Sequence, residues 1–288
     1  MLYVCATPIG NLDDVALRVL DTLRRVQLIA AEDTRRTRKL LSRFDIHTPL
    51  TSLFAHNEAQ KTGYVLGILR DGGQVALATD AGLPGVSDPG ARLVAAVISA
   101  GLPMTVLPGA SAPATALVVS GLAGEGGYRF AGYLPRKRVA LEALVHEWRR
   151  SGGVVVAFET APRLPASLRA LAALVPFARA ALCRELTKVH EEVARGTLAE
   201  LAARFASQPS AGSPGGMDEP RTVRGEITLV VDFGPPAVAP PQADAGAAAA
   251  RLLAKGLSKR DAAAAVAVCL GLSHREAEAL VRAVAARE

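Results

Sequence analysis

A chain of 288 residues, half of them hydrophobic, is long enough for two modest domains with cores of their own and too apolar for a disordered or fibrous protein. No apolar run reaches the roughly 18–20 residues of a membrane helix, and the start MLYVCATPIG lacks the basic and long apolar regions of a secretion signal, so a cytoplasmic protein is expected. The net charge of +6 is mild support for a polyanionic partner, while Cys5, Cys183 and Cys269, far apart in apolar or Ala-rich surroundings, fit reduced, buried thiols and suggest neither a disulfide framework nor a metal site.

Short apolar or β-branched runs alternate with amphipathic stretches from the first residues onward. In chain order they are strand 2–6, helix 15–26, strand 27–32, helix 35–44, strand 51–54, helix 58–70, strand 74–79, helix 90–100 and strand 104–107. This rhythm predicts an α/β domain over 1–115 with an open parallel sheet. A second α/β domain is predicted over 116–235, from apolar runs at 128–134, 153–159, 179–186 and 225–233 and helices near 139–150, 163–174 and 197–205. The Pro, Gly and Ser content of 207–222 reads as a loop; that of 234–246 reads as a linker, whose core is 236–246. Ser258 with Asp261 and Ser273 with Glu276 have capping-box spacing, and Gly256 and Gly271 stand where helices stop. A small helical module is therefore expected over 247–288.

Open parallel sheets bind ligands beyond the carboxyl ends of their strands. The first strand ends in Thr7-Pro8-Ile9-Gly10-Asn11, which is no dinucleotide fingerprint. The fourth ends in TDAGLPGVSDPG, residues 79–90, where Asp80, Ala81, Ser87 and Asp88 stand among Gly82, Gly85 and Gly90. Such glycines let backbone approach a ligand, and backbone N–H and carbonyl groups read an amino acid's charged ends. The fifth ends in Leu107-Pro108-Gly109-Ala110-Ser111-Ala112, again small residues at a strand-to-helix junction. A shared crevice accounts for all three loops.

TPIGNL, AEDTRRTRKLL, HNE, TDAGLPGVSDPG, LPGASA, FETAPR and RELTKVHEE follow one another over residues 2–233 in the order and spacing of the ribosomal RNA small-subunit 2′-O-methyltransferases, which the chain closely resembles. Those enzymes form a branch of the tetrapyrrole-methylase superfamily; its corrin and sirohaem branches look instead like GAGPGD and GGDP in the first and fourth loops. The resemblance implies a two-domain tetrapyrrole-methylase-like fold with S-adenosyl-L-methionine in a cleft between the domains. It implies cofactor contacts at Pro8, at Asp80, Ala81 and Gly82, and at Ser111 and Ala112, with Gly85 and Ser87 in the same loop. From the second domain it implies Phe158 and Glu159, the neighbourhood of Ala194 to Thr197 with Ala194 and Gly196 in it, and Gly225 with Glu226. The implied reaction is 2′-O-methylation of a cytidine ribose in 16S rRNA near the decoding centre, by a homodimer acting on the small ribosomal subunit.

A ribose hydroxyl is a poor nucleophile until deprotonated, so a general base is expected. Asp33, His56, Glu58 and Asp88 are the candidates, all at predicted loops or helix starts on one side of the sheet. Each has a plainer reading as a helix cap or turn residue. Asp33 beside Arg35 and Arg36 is the preferred cluster, because guanidiniums flanking a carboxylate could hold a phosphate and poise a base. Arg35, Arg36 and Lys39, with Arg38 and Arg43 nearby, and Arg136, Lys137 and Arg138 are the expected phosphate contacts; Lys188 is a second-rank one. With only 4% aromatic residues, RNA is expected to be recognised by shape and charge more than by stacking. Two alternatives stand beside this reading. A tetrapyrrole C-methyltransferase would carry a deep apolar cleft without those clusters, and a non-catalytic ribosome-associated RNA-binding protein would not need the three loops.

Overall fold

In the computed structural model the first part of the chain alternates β1 (Leu2–Cys5), α1 (Leu17–Arg25), β2 (Leu28–Ala31), α2 (Thr34–Arg43), β3 (Leu50–Ser52), α3 (Glu58–Arg70), β4 (Val75–Ala78), α4 (Ala91–Ser99), β5 (Met104–Leu107) and α5 (Ala112–Ser120). The structure describes residues 1–206, 224–236, 242–270 and 272–286, so the predicted loop 207–222 and Gly271 lie outside it. The strands form one parallel sheet in the order β3-β2-β4-β1-β5. β2 and β4 are apolar and buried at every position, as strands covered by helices on both faces must be. One layer of core packs α1 and α2 through Val19, Leu23, Leu40 and Leu41, and the other packs α3 and α4 through Val65, Leu69, Leu93 and Val97. Because β4, β1 and β5 are neighbours, the loops that follow them leave the sheet side by side.

The second sheet is mixed, in the order β6-β7-β10-β8-β9, built from β6 (Tyr128–Tyr133), β7 (Val154–Thr160), β8 (Arg179–Arg184), β9 (Glu192–Thr197) and β10 (Glu226–Asp232). β6 and β7 are parallel and the other pairs antiparallel. Alternate residues serve opposite faces. Val155, Ala157, Leu182, Ile227 and Leu229 pack on α6 (Arg138–Ser151), α7 (Leu164–Leu174) and α8 (Leu198–Arg204). Val156, Ala181, Cys183 and Val230 point the other way, onto Ala116 of α5 and onto Ile9 and Leu186. The boundary expected at residue 115 therefore falls inside α5, whose far side belongs to the second sheet's core. Met1–Trp148 and Gly153–Gly234 make one compact unit.

Arg149–Gly152 and Pro235–Glu288 make the other unit, with helices α9 (Gln242–Ala254), α10 (Lys259–Leu270) and α11 (His274–Ala285) closing on Ala249, Ala262, Ala263, Val266, Ala277 and Val281. Ser273 and Glu276 form a full capping box, and Ser258 Oγ accepts from the Asp261 N–H at 3.1 Å. Gly256 takes the left-handed φ of 83° just past α9. The segment 236–246 is not all linker: α9 begins at Gln242, because the alanine-rich run behind it is strongly helix-forming. Cys5 and Cys183 are buried as expected, whereas Cys269 is exposed on α10, since the side of a small helix facing away from its three-helix core has nothing to cover it.

Candidate active site

Backbone hydrogen bonds lock the three loops together. The Thr7 and Gly82 N–H groups donate to each other's carbonyls at 2.8 and 3.0 Å, Thr7 Oγ1 donates to the Thr79 carbonyl at 3.0 Å, and the Ala6 N–H donates to Leu107 at 3.2 Å. Together with one face of the second sheet they enclose a cleft of about 780 Å³. Its narrow walls are small: Ala81, Gly82, Gly109, Ala110, Ser111 and Ala112. Phe158, Cys183, Ile227 and Thr228 come from the strands opposite. Tyr133 and Phe130 pack on the Phe158 ring, with centroids 5.4 and 5.0 Å away.

Four carboxylates share this cleft. Glu32, Asp80, Asp88 and Glu226 all line it, with Arg36 and Arg224 as the cations among the lining residues. Asp80 is held from both sides: its Oδ1 accepts from the Asp33 N–H at 3.1 Å and its Oδ2 lies 3.4 Å from Arg36, while its own N–H donates to Glu32 at 3.2 Å. Burial raises the pKa of Glu32, of Asp80 and of the Tyr133 hydroxyl above their ordinary values. Asp88 moves furthest, pushed up to about 7 by burial first and then by Glu32, Asp80 and Glu226. It is the group in this cleft poised to exchange a proton near neutrality.

The other three base candidates are placed differently. Asp33 caps α2 and chelates Arg35 through contacts of 3.1 and 2.7 Å; those hydrogen bonds hold its carboxyl far below the usual range and leave it a poor base. The flanking guanidinium that favoured it in the sequence is what disarms it. Glu58 reaches from α3 to α4, where its Oε1 accepts from the N–H groups of Gly90, Arg92 and Leu93 at 3.0, 3.0 and 3.4 Å. His56 is exposed beside Phe54, outside the cleft lining.

Among the expected cofactor contacts, Asp80, Ala81, Gly82, Ser111, Ala112, Phe158 and Gly225 line the cleft, as does Glu159. The Glu159 side chain turns away into the second core, accepting from Ser167 and pairing with Arg163 at 3.2 Å, so only its backbone is available. Pro8 is buried behind the first loop, and Gly85 and Ser87 shape the fourth loop around the lining residues Val86 and Asp88. Ala194 and Gly196 are not at the cleft: β9 is the far edge strand, Ala194 is sunk in the core under α8, and Gly196 packs on Glu200. Arg35, Arg38, Lys39 and Ser42 form one exposed stripe along α2, and Arg136, Lys137 and Arg138 are exposed ahead of and at the start of α6. Arg36 faces the cleft instead, and Lys188 is held between Glu185 and Glu226 at 2.9 and 3.0 Å. Glu32, Tyr133 and Arg224 were not singled out from sequence, although Glu32 ends a strand of the same sheet as its neighbours do and stands inside the EDTR run.

The model of the Tetrapyrrole (Corrin/Porphyrin) Methylases matches residues 1–202. The chain belongs to this family. Within it, a ribosomal RNA small subunit methyltransferase I from Micromonospora olivasterospora is 42% identical over 236 residues, covering 82% of this chain and 71% of that one. Its counterpart from Mycobacterium tuberculosis is 45% identical over 233 residues, covering 80% and 76%. A uroporphyrin-III C-methyltransferase from Thermus thermophilus, solved with S-adenosyl homocysteine, shares the fold at a TM-score of 0.53 and 15% identity, over 80% of this chain and 96% of that one. This family member is thus a methyltransferase, close in sequence to ribosomal RNA enzymes and similar in fold to the uroporphyrin-III one.

Proposed function

We propose that this methyltransferase moves the methyl group of S-adenosyl-L-methionine to the 2′-hydroxyl of a cytidine ribose in 16S rRNA of the small ribosomal subunit, near the decoding centre. The observation that carries the reading is the acidic cleft, in which Asp88 and Asp80 of the loop after β4 stand with Glu32 beyond β2 and Glu226 on β10. The cofactor fits it by size and chemistry: the volume suits a ligand of that size, and a cluster of carboxylates suits a ligand with an ammonium and a sulfonium. When bound, S-adenosyl-L-methionine supplies an electrophilic methyl whose departure leaves a neutral thioether.

The protein's own residues do the rest. Asp80, Ala81, Gly82, Ser111, Ala112, Phe158 and Gly225 hold the cofactor, using backbone groups where side chains are too small to intrude. Asp88 accepts the ribose proton as the oxygen–methyl bond forms, and its raised affinity makes it a stronger base than an ordinary carboxylate while leaving a large share of it ionised at neutral pH. Small walls and rigid loops fix the approach of the two reactants, and orientation supplies much of the rate. Arg35, Arg38 and Lys39 on α2 and the run Arg136–Lys137–Arg138 take RNA phosphates. A homodimer completes the reading and is measured by light scattering.

The test is methyl transfer from labelled S-adenosyl-L-methionine into small subunits from cells lacking this protein, followed by nuclease mapping of the labelled ribose. Label at one alkali-resistant linkage, lost with Asp88→Asn while cofactor still binds, supports the proposal. Label in a tetrapyrrole fraction, or RNA binding without transfer, overturns the substrate or the chemistry.

A further inference from the structure

Lys188 has an unusual seat. It follows a turn in which Glu185 and Thr187 both take left-handed backbone angles, φ 52° and 65°, uncommon for any non-glycine residue and most of all for a β-branched one. Strained turns of this kind persist where the surroundings over-determine them. Here the surroundings come from the first loop: a methyl group on Gly10 would lie 2.6 Å from Lys188 Cγ, 2.6 Å from Thr187 Oγ1 and 2.7 Å from the Leu186 carbonyl. The Asn11 N–H donates to Thr187 Oγ1 at 3.0 Å, and Glu191 accepts from the Thr187 N–H at 2.6 Å. The lysine stem is thereby clamped between the two α/β halves.

Its ammonium is as firmly placed. Nζ lies 2.9 Å from Glu185 Oε1 and 3.0 Å from Glu226 Oε2, and the Glu226 N–H donates to the same Glu185 oxygen at 2.9 Å. Gly225 makes room for this arrangement, since a Cβ there would sit 2.6 Å from the Glu185 carboxyl. Burial works against the charge of Lys188, yet the two carboxylates outweigh it and hold its pKa above the ordinary value. Glu226 lines the cleft together with Asp88.

We propose that Lys188 is a positioning residue which fixes and neutralises the Glu226 carboxylate in the cleft wall and so sets the proton affinity of Asp88. This rests on the reading of Asp88 as the base. The groups facing Asp88 are Glu32 beyond β2, Asp80 beyond β4, Glu226 on β10 and the Tyr133 hydroxyl on β6, with Arg36 of α2 paired to Asp80. Around Glu226 stand Glu185, Lys188 and the cleft-lining Arg224, with Arg184 next to Glu185 and paired to Glu192. Of these, Lys188 makes the salt bridge to Glu226. Without it the full negative charge of Glu226 acts on Asp88, and the Asp88 proton is held more tightly.

The experiment titrates Asp88 in the free protein by carbon NMR of aspartate labelled at the carboxyl, with Asp88→Asn assigning the signal. Lys188→Met should raise the Asp88 midpoint by roughly half a pH unit, Lys188→Arg should leave it near the wild-type value, and Glu226→Gln should lower it. The acid limb of the methyl-transfer pH profile should move with each. A midpoint that stays put in Lys188→Met overturns the proposal, as does one that stays put in Glu226→Gln, and Lys188→Gln takes the place of Lys188→Met if that variant fails to fold. Wild-type turnover in Asp88→Asn would instead overturn the assignment of the base, while the titration still reports whether Lys188 governs the charge there.

Discussion

Replacing Glu58 by alanine separates a cap from a catalyst. The N-cap residue of α4 is Gly90, which has no side chain to cap the helix, and no acidic residue occupies the first turn. Glu58 supplies from another helix the acceptor that the N–H groups of Gly90, Arg92 and Leu93 lack. Losing a helix cap costs about 0.5–2 kcal/mol, and removing a carboxylate from a helix N-terminus about 0.3–1 more. Together these predict a loss of roughly 0.8–3 kcal/mol in Glu58→Ala, or about 2–12 °C in Tm for a unit of this size. Glu58→Gln keeps an acceptor and should lose about half as much. Thermal melts and single-turnover methyl transfer on the same samples decide it. Turnover at saturating cofactor should stay within about twofold of wild type below the melting range. An unchanged Tm combined with abolished transfer would refute the capping argument and return Glu58 to the chemistry.

The pH dependence follows from Asp88. Its carboxylate is the working form, so kcat/KM should rise with pH through about 7 and then level, with that step absent in Asp88→Asn. Because its folded pKa lies above the unfolded value, Asp88 costs nothing at about pH 3, its destabilisation builds from about pH 4 and is complete once pH has risen through about 7; Asp88→Asn should match wild-type stability at about pH 3 and exceed it at about pH 8 in urea titrations. Gly10→Ala should cost about 1–3 kcal/mol, since one of the three atoms in its way is the Leu186 backbone carbonyl, which cannot swing aside. Arg38→Glu with Lys39→Glu should weaken RNA binding and lower its salt slope by about 2, with cofactor affinity measured by calorimetry unchanged.

The parallel sheet was legible because short apolar runs between amphipathic helices leave few other readings, and β5 spans the predicted residues 104–107. β9 was missed. Its sequence EVARGT alternates weakly and carries two charges, which an edge strand tolerates because one side meets water. Ala194 and Gly196, which the resemblance placed at the cofactor, lie on this strand, away from the cleft. At the site, the loops after β1, β4 and β5 were readable from their small residues. What a carboxylate does there was not, because capping, chelation and burial give Glu58, Asp33 and Asp88 three different fates that depend on partners from other elements. Tyr133 becomes a site residue only through the meeting of two sheets, since β6 belongs to the second sheet and Asp88 to the first half.

The apolar seam of Ile9, Ala116, Val156, Cys183, Leu186 and Val230 ties the first loop and α5 to the second sheet. Prying the halves apart would expose that seam at about 25 cal/mol per Å² of apolar surface. Opening the cleft from that side would carry this cost, so ligand exchange between the loops is the expected route. Cofactor on-rates should be insensitive to mild denaturant, and spent cofactor should leave by diffusing through a fixed aperture, without a hinge to set the tempo.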